Sequence, residues 1–333
     1  MGTSRRKFLS NASISTLGVL TASSAMGTLI PQDSKAATII ADPIGAENKN
    51  TGNAVPRRLA VITGAARGMG RAFSVTLAKN GIDIFGIDIL GGVTPGLDYK
   101  LATAADILET KKLVEAQGAK FSYAKADVRN LSELEKIATQ LKASHGSVDI
   151  IVANAGIQQL SAFMESTTEN WNDMLDVNVL GVAHTLKAFL PLMIPKKTGK
   201  VVVVSSTQGM RGMWNGAAYS ASKWAVIGLV KSVAMEMGVH RINVNAVVPG
   251  LIDTPMFRNQ KRWQIAMGGG YENKEVSEEL LSKTLSGKDT LGLPWLTPEH
   301  VAPVVGFLTS SGADAVTGAV YDAASGTSTS YSS

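Results

Sequence analysis

"LAVITGAARGMGRAF", residues 59–73, decides the fold. Leu59 to Thr63 read as a strand, and the residues after Gly70 carry the helical pattern of "RAFSVTLAKNG". Between them Gly64, Gly68 and Gly70, with Arg67 and Met69 interspersed, allow a tight strand-to-helix turn. Backbone can there approach a pyrophosphate, which rests on the positive end of the helix. Glycine-rich turns also arise by chance, so the surroundings matter. The second strand, "IDIFGID", ends at Asp88, 24 residues beyond Gly64. A carboxylate so placed takes the adenosine ribose hydroxyls. It repels a 2′-phosphate and is followed by Ile89 rather than a base, which favours NAD over NADP. Arg67 argues the other way, since it can reach a phosphate from the turn.

Outward from this unit, five more β-rich runs alternate with helical patterns: "KFSYAKAD", "VDIIVAN", "KVVVVSS", "RINVNAVV" and "GAVYDA". Their near-continuous apolar character fits strands covered on both faces. The expectation is α/β: a single doubly wound Rossmann domain over residues 58–333, with a seven-stranded parallel sheet and helices on both faces. Late in the chain the pattern loosens between Phe257 and Leu296, with Gly268, Gly269 and Gly270 as a hinge, and this excursion is a candidate lid.

The chain has 333 residues, 45% hydrophobic and 18% charged, enough for a large core. Its net charge of +5 is scattered rather than striped, so nucleic-acid binding is not expected. Cysteine is absent, which excludes disulfides and thiolate chemistry. His145, His184, His240 and His300 lack ligand spacing, so no metal is expected. Residues 1–36 hold the pair Arg5 and Arg6, a mildly apolar run and a small-residue end at Ser34 and Ala36. This resembles a twin-arginine export signal, with a disordered tail or an amphipathic anchor as the other readings. The run is too polar for a stable membrane span. Residues 37–57 read as a linker. Location is therefore periplasmic or exported, and cytoplasmic if the signal does not function.

The ordered set Thr63-Gly64-x-x-x-Gly68-x-Gly70, "NAG" at 154–156, Asn178 in "DVNVLG", "SS" at 205–206, "YSASK" at 219–223 and "PG" at 249–250 resembles the short-chain dehydrogenase/reductase family. The resemblance covers Arg58 to about Ser325. Tyr219 and Lys223, four apart on a helix, project to one side. A phenol titrating at about 10 is a poor base, but an ammonium close by favours the phenolate, making Tyr219 the general acid/base. The resemblance implies a catalytic serine thirteen residues before the tyrosine, which selects Ser206 over Ser205. It implies Asn178 as the residue that steadies a water and links Lys223 to solvent. Asn178, Ser206, Tyr219 and Lys223 then complete a tetrad, in which Ser206 and Tyr219 also touch substrate and Tyr219 and Lys223 also contact NAD. Ser220, Ala221 and Ser222 keep bulk out of the turn, leaving room for the nicotinamide ribose beside Lys223.

By the same resemblance NAD further meets Asp127 and Val128 at the adenine, Asn154, Ala155 and Gly156 along the ribose, and Pro249, Gly250, Ile252 and Thr254 near the carboxamide and phosphates. Two departures stand out: Ala153 replaces the first Asn of the family's "NNAG", and Asp322, Ala323 and Ala324 replace its late "DGG". The stretch between Asp88 and the third strand, "GGVTPGLDYKLATAADILETKKLVEAQGAK", resembles a subgroup that includes carveol dehydrogenases, where a longer segment folds over the adenosine half of NAD and holds it tightly; its other reading is a surface insertion. Gln158, Gln208, Met213, Trp214, Met256, Phe257 and Trp263 are expected to wall a largely apolar pocket without an obvious anchor for a charged substrate, with a place in the core as the other reading of Met256 and Trp263. The implied function is NAD-dependent interconversion of a hydrophobic secondary alcohol and its ketone in a homodimer or homotetramer. Two alternatives remain open: a non-catalytic NAD-binding sensor or scaffold, and a lyase or isomerase using the same tyrosine.

Overall fold

The computed structural model describes residues 57–92 and 96–330; the export-signal and linker stretches up to residue 56 lie outside the described residues. Seven strands form one parallel sheet in the order β3-β2-β1-β4-β5-β6-β7. They are β1 (Leu59–Thr63), β2 (Asp83–Asp88), β3 (Phe121–Lys125), β4 (Ile150–Ala153), β5 (Gly199–Val204), β6 (Ile242–Pro249) and β7 (Val320–Ala323). All seven coincide with the β-rich runs of the sequence; the central strands β1, β4 and β5 are buried along their whole length, which leaves a near-continuous apolar signature.

The helices are α1 (Gly68–Lys79), α2 (Ala104–Glu115), α3 (Leu131–His145), α4 (Thr168–Leu175), α5 (Gly181–Phe189), α6 (Ala217–Met237), α7 (Gln260–Met267), α8 (Glu278–Ser286) and α9 (Pro298–Leu308). Alternate strand residues feed two core layers. Val61, Val201 and Val203 meet Leu134, Val182, Leu186, Val226 and Val230 from α3, α5 and α6. Ala60, Ile62, Val202 and Val204 turn the other way, onto Phe73, Leu77, Ile107, Val301 and Val305 from α1, α2 and α9. Each fully buried aliphatic or aromatic side chain contributes about 1.5–3 kcal/mol, so the two layers together hold the sheet.

The strand order reverses between β1 and β4, and ligands bind outside the carboxyl ends of strands at such a reversal. Gly64 follows β1 there, and Asn154 follows β4. The loosened late stretch folds as α7 and α8. Phe257, Met267, Val276, Leu281 and Leu285 give it a small core of its own, with Trp263 packed against them. Gly268 and Gly270 follow α7 at φ +95° and +91° with open space around them, so only glycine relieves that turn without strain.

Candidate active site

The glycine turn is shaped by close approach. A Cβ at Gly64, where φ is +66°, would lie 2.8 Å from Asn154 Nδ2 and 2.9 Å from the Ala155 Cα. Asn154 braces the turn, its Nδ2 donating to the carbonyls of Thr63 at 3.0 Å and Gly64 at 3.1 Å. Thr63 Oγ1 accepts from the backbone N–H groups of Asn154 and Ala155, each at 3.1 Å. Gly70 serves otherwise than expected. It does not line the cleft, and a Cβ there would stand 2.0 Å from the Gly64 carbonyl, so its role is packing of α1 against the strand end.

A cleft opens from this turn, lined by Gly64, Arg67, Gly68, Met69, Asp88, Ile89, Asp127, Val128, Asn154, Ala155, Gly156 and Thr254. Asp88 accepts from the N–H of Ala66 at 3.0 Å and of Leu90 at 3.3 Å. Burial raises its pKa, opposed by those N–H donors and by the nearby Arg67. A bare glycine cradle at one end and a half-buried carboxylate at the end of β2 fit a dinucleotide with a free ribose diol. Asp127 is held by Arg129, whose Nη2 lies 2.6 Å from its carboxylate. Tyr99, Leu101 and Ala102, from the stretch between β2 and α2, form one wall of the cleft, so that stretch is more than a surface insertion. Arg67 donates to the Lys100 carbonyl and pins this wall from below, while the Tyr99 hydroxyl accepts from the Gln158 N–H at 3.1 Å. Burial pushes the Tyr99 phenol up to about 12.

A second cavity abuts the cleft; Met69, Thr254 and Met256 belong to both. Pro249, Gly250 and Ile252 line this second cavity rather than the cleft. At its inner end stand Ser206 and Tyr219. The Ser206 hydroxyl accepts from the Gln208 N–H at 3.2 Å and lies close enough to the Tyr219 phenol to lower its pKa. Ser205 turns away, its Oγ donating to the Lys223 carbonyl at 2.9 Å, which ties β5 to α6.

Tyr219 lies in the first turn of α6, and Lys223 one turn on. The Lys223 Nζ stands 5.8 Å from the centre of the tyrosine ring and donates to the Val204 carbonyl at 3.0 Å. Lys223 lines neither cavity. The electrostatics depart from the sequence expectation. Burial raises the Tyr219 pKa, opposed by Ser206 and by the charge of Arg262 rather than of Lys223. Lys223 is itself lowered to about 8 by burial, because an ammonium loses its water there as surely as a phenolate does.

Asn178 sits fully buried in a π-helical turn, Asp176–Leu180, that links α4 to α5. Its Nδ2 donates to the Ile157 carbonyl at 2.9 Å and to Ser222 Oγ at 3.0 Å, and its Oδ1 accepts from the Ile157 N–H at 2.9 Å. Both amide hydrogens are thereby spent, so the side chain positions Ile157 and cannot donate to a water as well. Ser222 is small for the sake of this contact: it joins α6 to the π turn instead of leaving open space.

Gln158, Gln208, Met213, Met256 and Phe257 line the second cavity as expected. Trp214 does not; it is 56% exposed, and its neighbour Met213 points inward instead. Trp263 belongs to the small core of α7 and α8. The sequence reading missed the cations of this cavity, Arg211, Arg262 and Lys288, and with them its polarity. Among the described residues no group of three or more His, Asp or Glu side chains could hold a metal ion. No helix among them is long and apolar enough to cross a membrane.

Comparison with known proteins agrees with this architecture. The family model described as short chain dehydrogenase matches residues 58–265. The (-)-trans-carveol dehydrogenase of Rhodococcus erythropolis is 34% identical over 275 residues, 82% of this chain and 98% of the relative. The crystal structure of carveol dehydrogenase from Mycobacterium avium in complex with NAD is 33% identical and superimposes with a TM-score of 0.76, covering 80% of this chain and 96% of that one. A short chain dehydrogenase from Mycobacterium paratuberculosis bound to NAD is 35% identical, with a TM-score of 0.74 over 82% of this chain and 98% of that one.

Proposed function

The chain belongs to the short chain dehydrogenase family, and from that premise we propose that it interconverts a secondary alcohol with an apolar body and the matching ketone, Tyr219 exchanging the proton. It is an NAD-dependent dehydrogenase, and bound NAD supplies the hydride acceptor for the alcohol or, reduced, the donor for the ketone. Gly64, Gly68, Asp88 and Asn154 would hold it in the cleft.

The observation that carries the reading is that Ser206 and Tyr219 line one cavity, and that this cavity shares Met69, Thr254 and Met256 with the nucleotide cleft. Ser206 donates to the substrate oxygen and fixes it. Tyr219, whose deprotonation Ser206 and the Arg262 charge favour against burial, takes the carbinol proton while the carbon–hydrogen bond gives up its electron pair as hydride; in reduction the phenol returns that proton to the oxygen. Lys223, lowered to about 8, exchanges protons close to neutral pH and replenishes the pair. Asn178 holds Ile157, and so the cleft floor, at its hydrogen-bonding distance of 2.9 Å.

Tyr219→Phe tests the assignment. NAD affinity by calorimetry should be unchanged, while turnover of ketones and alcohols, read from nicotinamide absorbance, falls by roughly 100- to 10,000-fold. Undiminished turnover would refute the role of Tyr219. Product formation without any absorbance change would replace the oxidoreductase reading with a lyase or isomerase.

A further inference from the structure

The second cavity holds a cation that the scheme above leaves idle. Arg262 has its Nε buried without a partner, and its Nη1 finds only the thioether of Met213, at 3.9 Å, a weak acceptor. The neighbouring cations are satisfied. Arg258 pairs with Asp253 and with Glu278, both at 2.6 Å, and Lys261 lies 3.8 Å from Asp98. Among the described residues Arg262 has no such carboxylate. Asp289, the acidic residue of the same cavity, already accepts from Ser325 Oγ and from the N–H groups of Leu291 and Leu293. The residue as a whole is part-buried in the cavity wall, and a guanidinium that has lost part of its water there gains from an anion that meets it. Its location is informative too, since its charge acts on the Tyr219 phenol.

We propose that Arg262 receives a carboxylate carried by the substrate, so that the alcohols and ketones of this enzyme are hydroxy acids and keto acids with an apolar remainder. The proposal rests on the hydride-transfer reading and alters its substrate class, replacing the anchorless pocket expected from the sequence. The two carboxylate oxygens meet the guanidinium in the paired geometry that its fork favours. The carbinol oxygen lies at Ser206 and Tyr219. Arg262 and Tyr219 line the same cavity, so the separation of carboxylate and carbinol is varied in the test, from 2- and 3-hydroxy acids to a 4-hydroxy ring acid. Met213, Met256 and Phe257 receive the apolar remainder.

The test uses matched pairs: 2-hydroxyoctanoate, 3-hydroxydecanoate and 4-hydroxycyclohexanecarboxylate, each beside its methyl ester, on the full chain loaded with NAD. Calorimetry reads binding, and nicotinamide absorbance reads turnover. At least one acid should bind about 10- to 100-fold more tightly than its ester, the span of one charge-assisted hydrogen-bonded pair. In Arg262→Gln that ratio should collapse toward one, and in Arg262→Lys it should survive in part. Acid preference in binding without turnover would uphold the anion site while refuting hydride transfer, so the two readings fail separately. Equal affinity for acids and esters, including none for either, overturns the proposal. So does an Arg262→Gln variant that slows acid and ester alike while displacing the pH profile of turnover, which would assign the guanidinium to the phenol alone.

Discussion

Lys223 and Tyr219 share a buried volume, and burial moves them in opposite directions: the amine down to about 8, the phenol up. The ordinary value for the lysine is 10.5. Between the two pKa values the unfolded chain holds a proton that the folded chain has lost, so this group makes stability rise with pH across that window. Its burial penalty is full below about 8 and gone above the unfolded value. The shift corresponds to about 3 kcal/mol. Urea unfolding of the wild type and of Lys223→Met at pH 7 and pH 11 should therefore show the wild type gaining stability relative to the variant by an amount of that order. A gap that stays constant with pH would mean the lysine keeps its charge in the folded protein. The pairing of Tyr219 with Lys223 is suggested by a four-residue spacing, whereas Ser206 is singled out only through the family resemblance, which supplies the thirteen-residue separation. Arg262 was not legible. Arg258, Lys261 and Arg262 look alike in sequence, and only folding shows that carboxylates take the first two.

At the level of elements, the strands announce themselves through short apolar, β-branched-rich runs, whereas the stretch between β2 and α2 mixes Gly, Pro, Tyr and Lys in no regular period. Its function depends on what it crosses, which periodicity does not record. In the fold it bridges two functional regions. Tyr99 accepts from the Gln158 N–H, and Asp98 faces Lys261 of α7 at 3.8 Å, so this stretch and the α7 segment converge beside the shared wall of the two cavities. A nucleotide in the cleft would lie against Tyr99, Leu101 and Ala102 and lose those contacts on leaving. Tyr99→Ala should accordingly raise the NAD dissociation rate by about 10- to 100-fold with a smaller effect on association, since such changes fall mainly on the off-rate. Stopped-flow displacement of bound NADH, followed by its fluorescence, measures both rates. An unchanged off-rate would reduce this wall to a covering with no hold on the cofactor.

For the whole molecule, the helices that carry the site also carry apolar surface that the single chain leaves uncovered. Leu180 ends the π turn of Asn178 and is 48% exposed, and Trp224, next to Lys223 on α6, is 54% exposed. Their backs are committed to the core, Asn178 to Ser222 on one side and Val226 and Val230 to the sheet on the other. Large apolar side chains standing in water on two adjoining, site-bearing helices favour burial against another surface. The homo-oligomer expected from the sequence supplies one: α6 of a second copy related by a two-fold axis would cover Trp224 with its own equivalent. Such an interface lies one residue from Lys223, so its loss would loosen the first turns of α6 and with them the placing of Tyr219. Trp224→Lys should then shift the chain toward monomer at micromolar concentration in light scattering coupled to gel filtration, and turnover per chain should fall as the protein is diluted. A wild type that is monomeric at that concentration would dismiss the interface, and a dimer indifferent to Trp224→Lys would move it to another face.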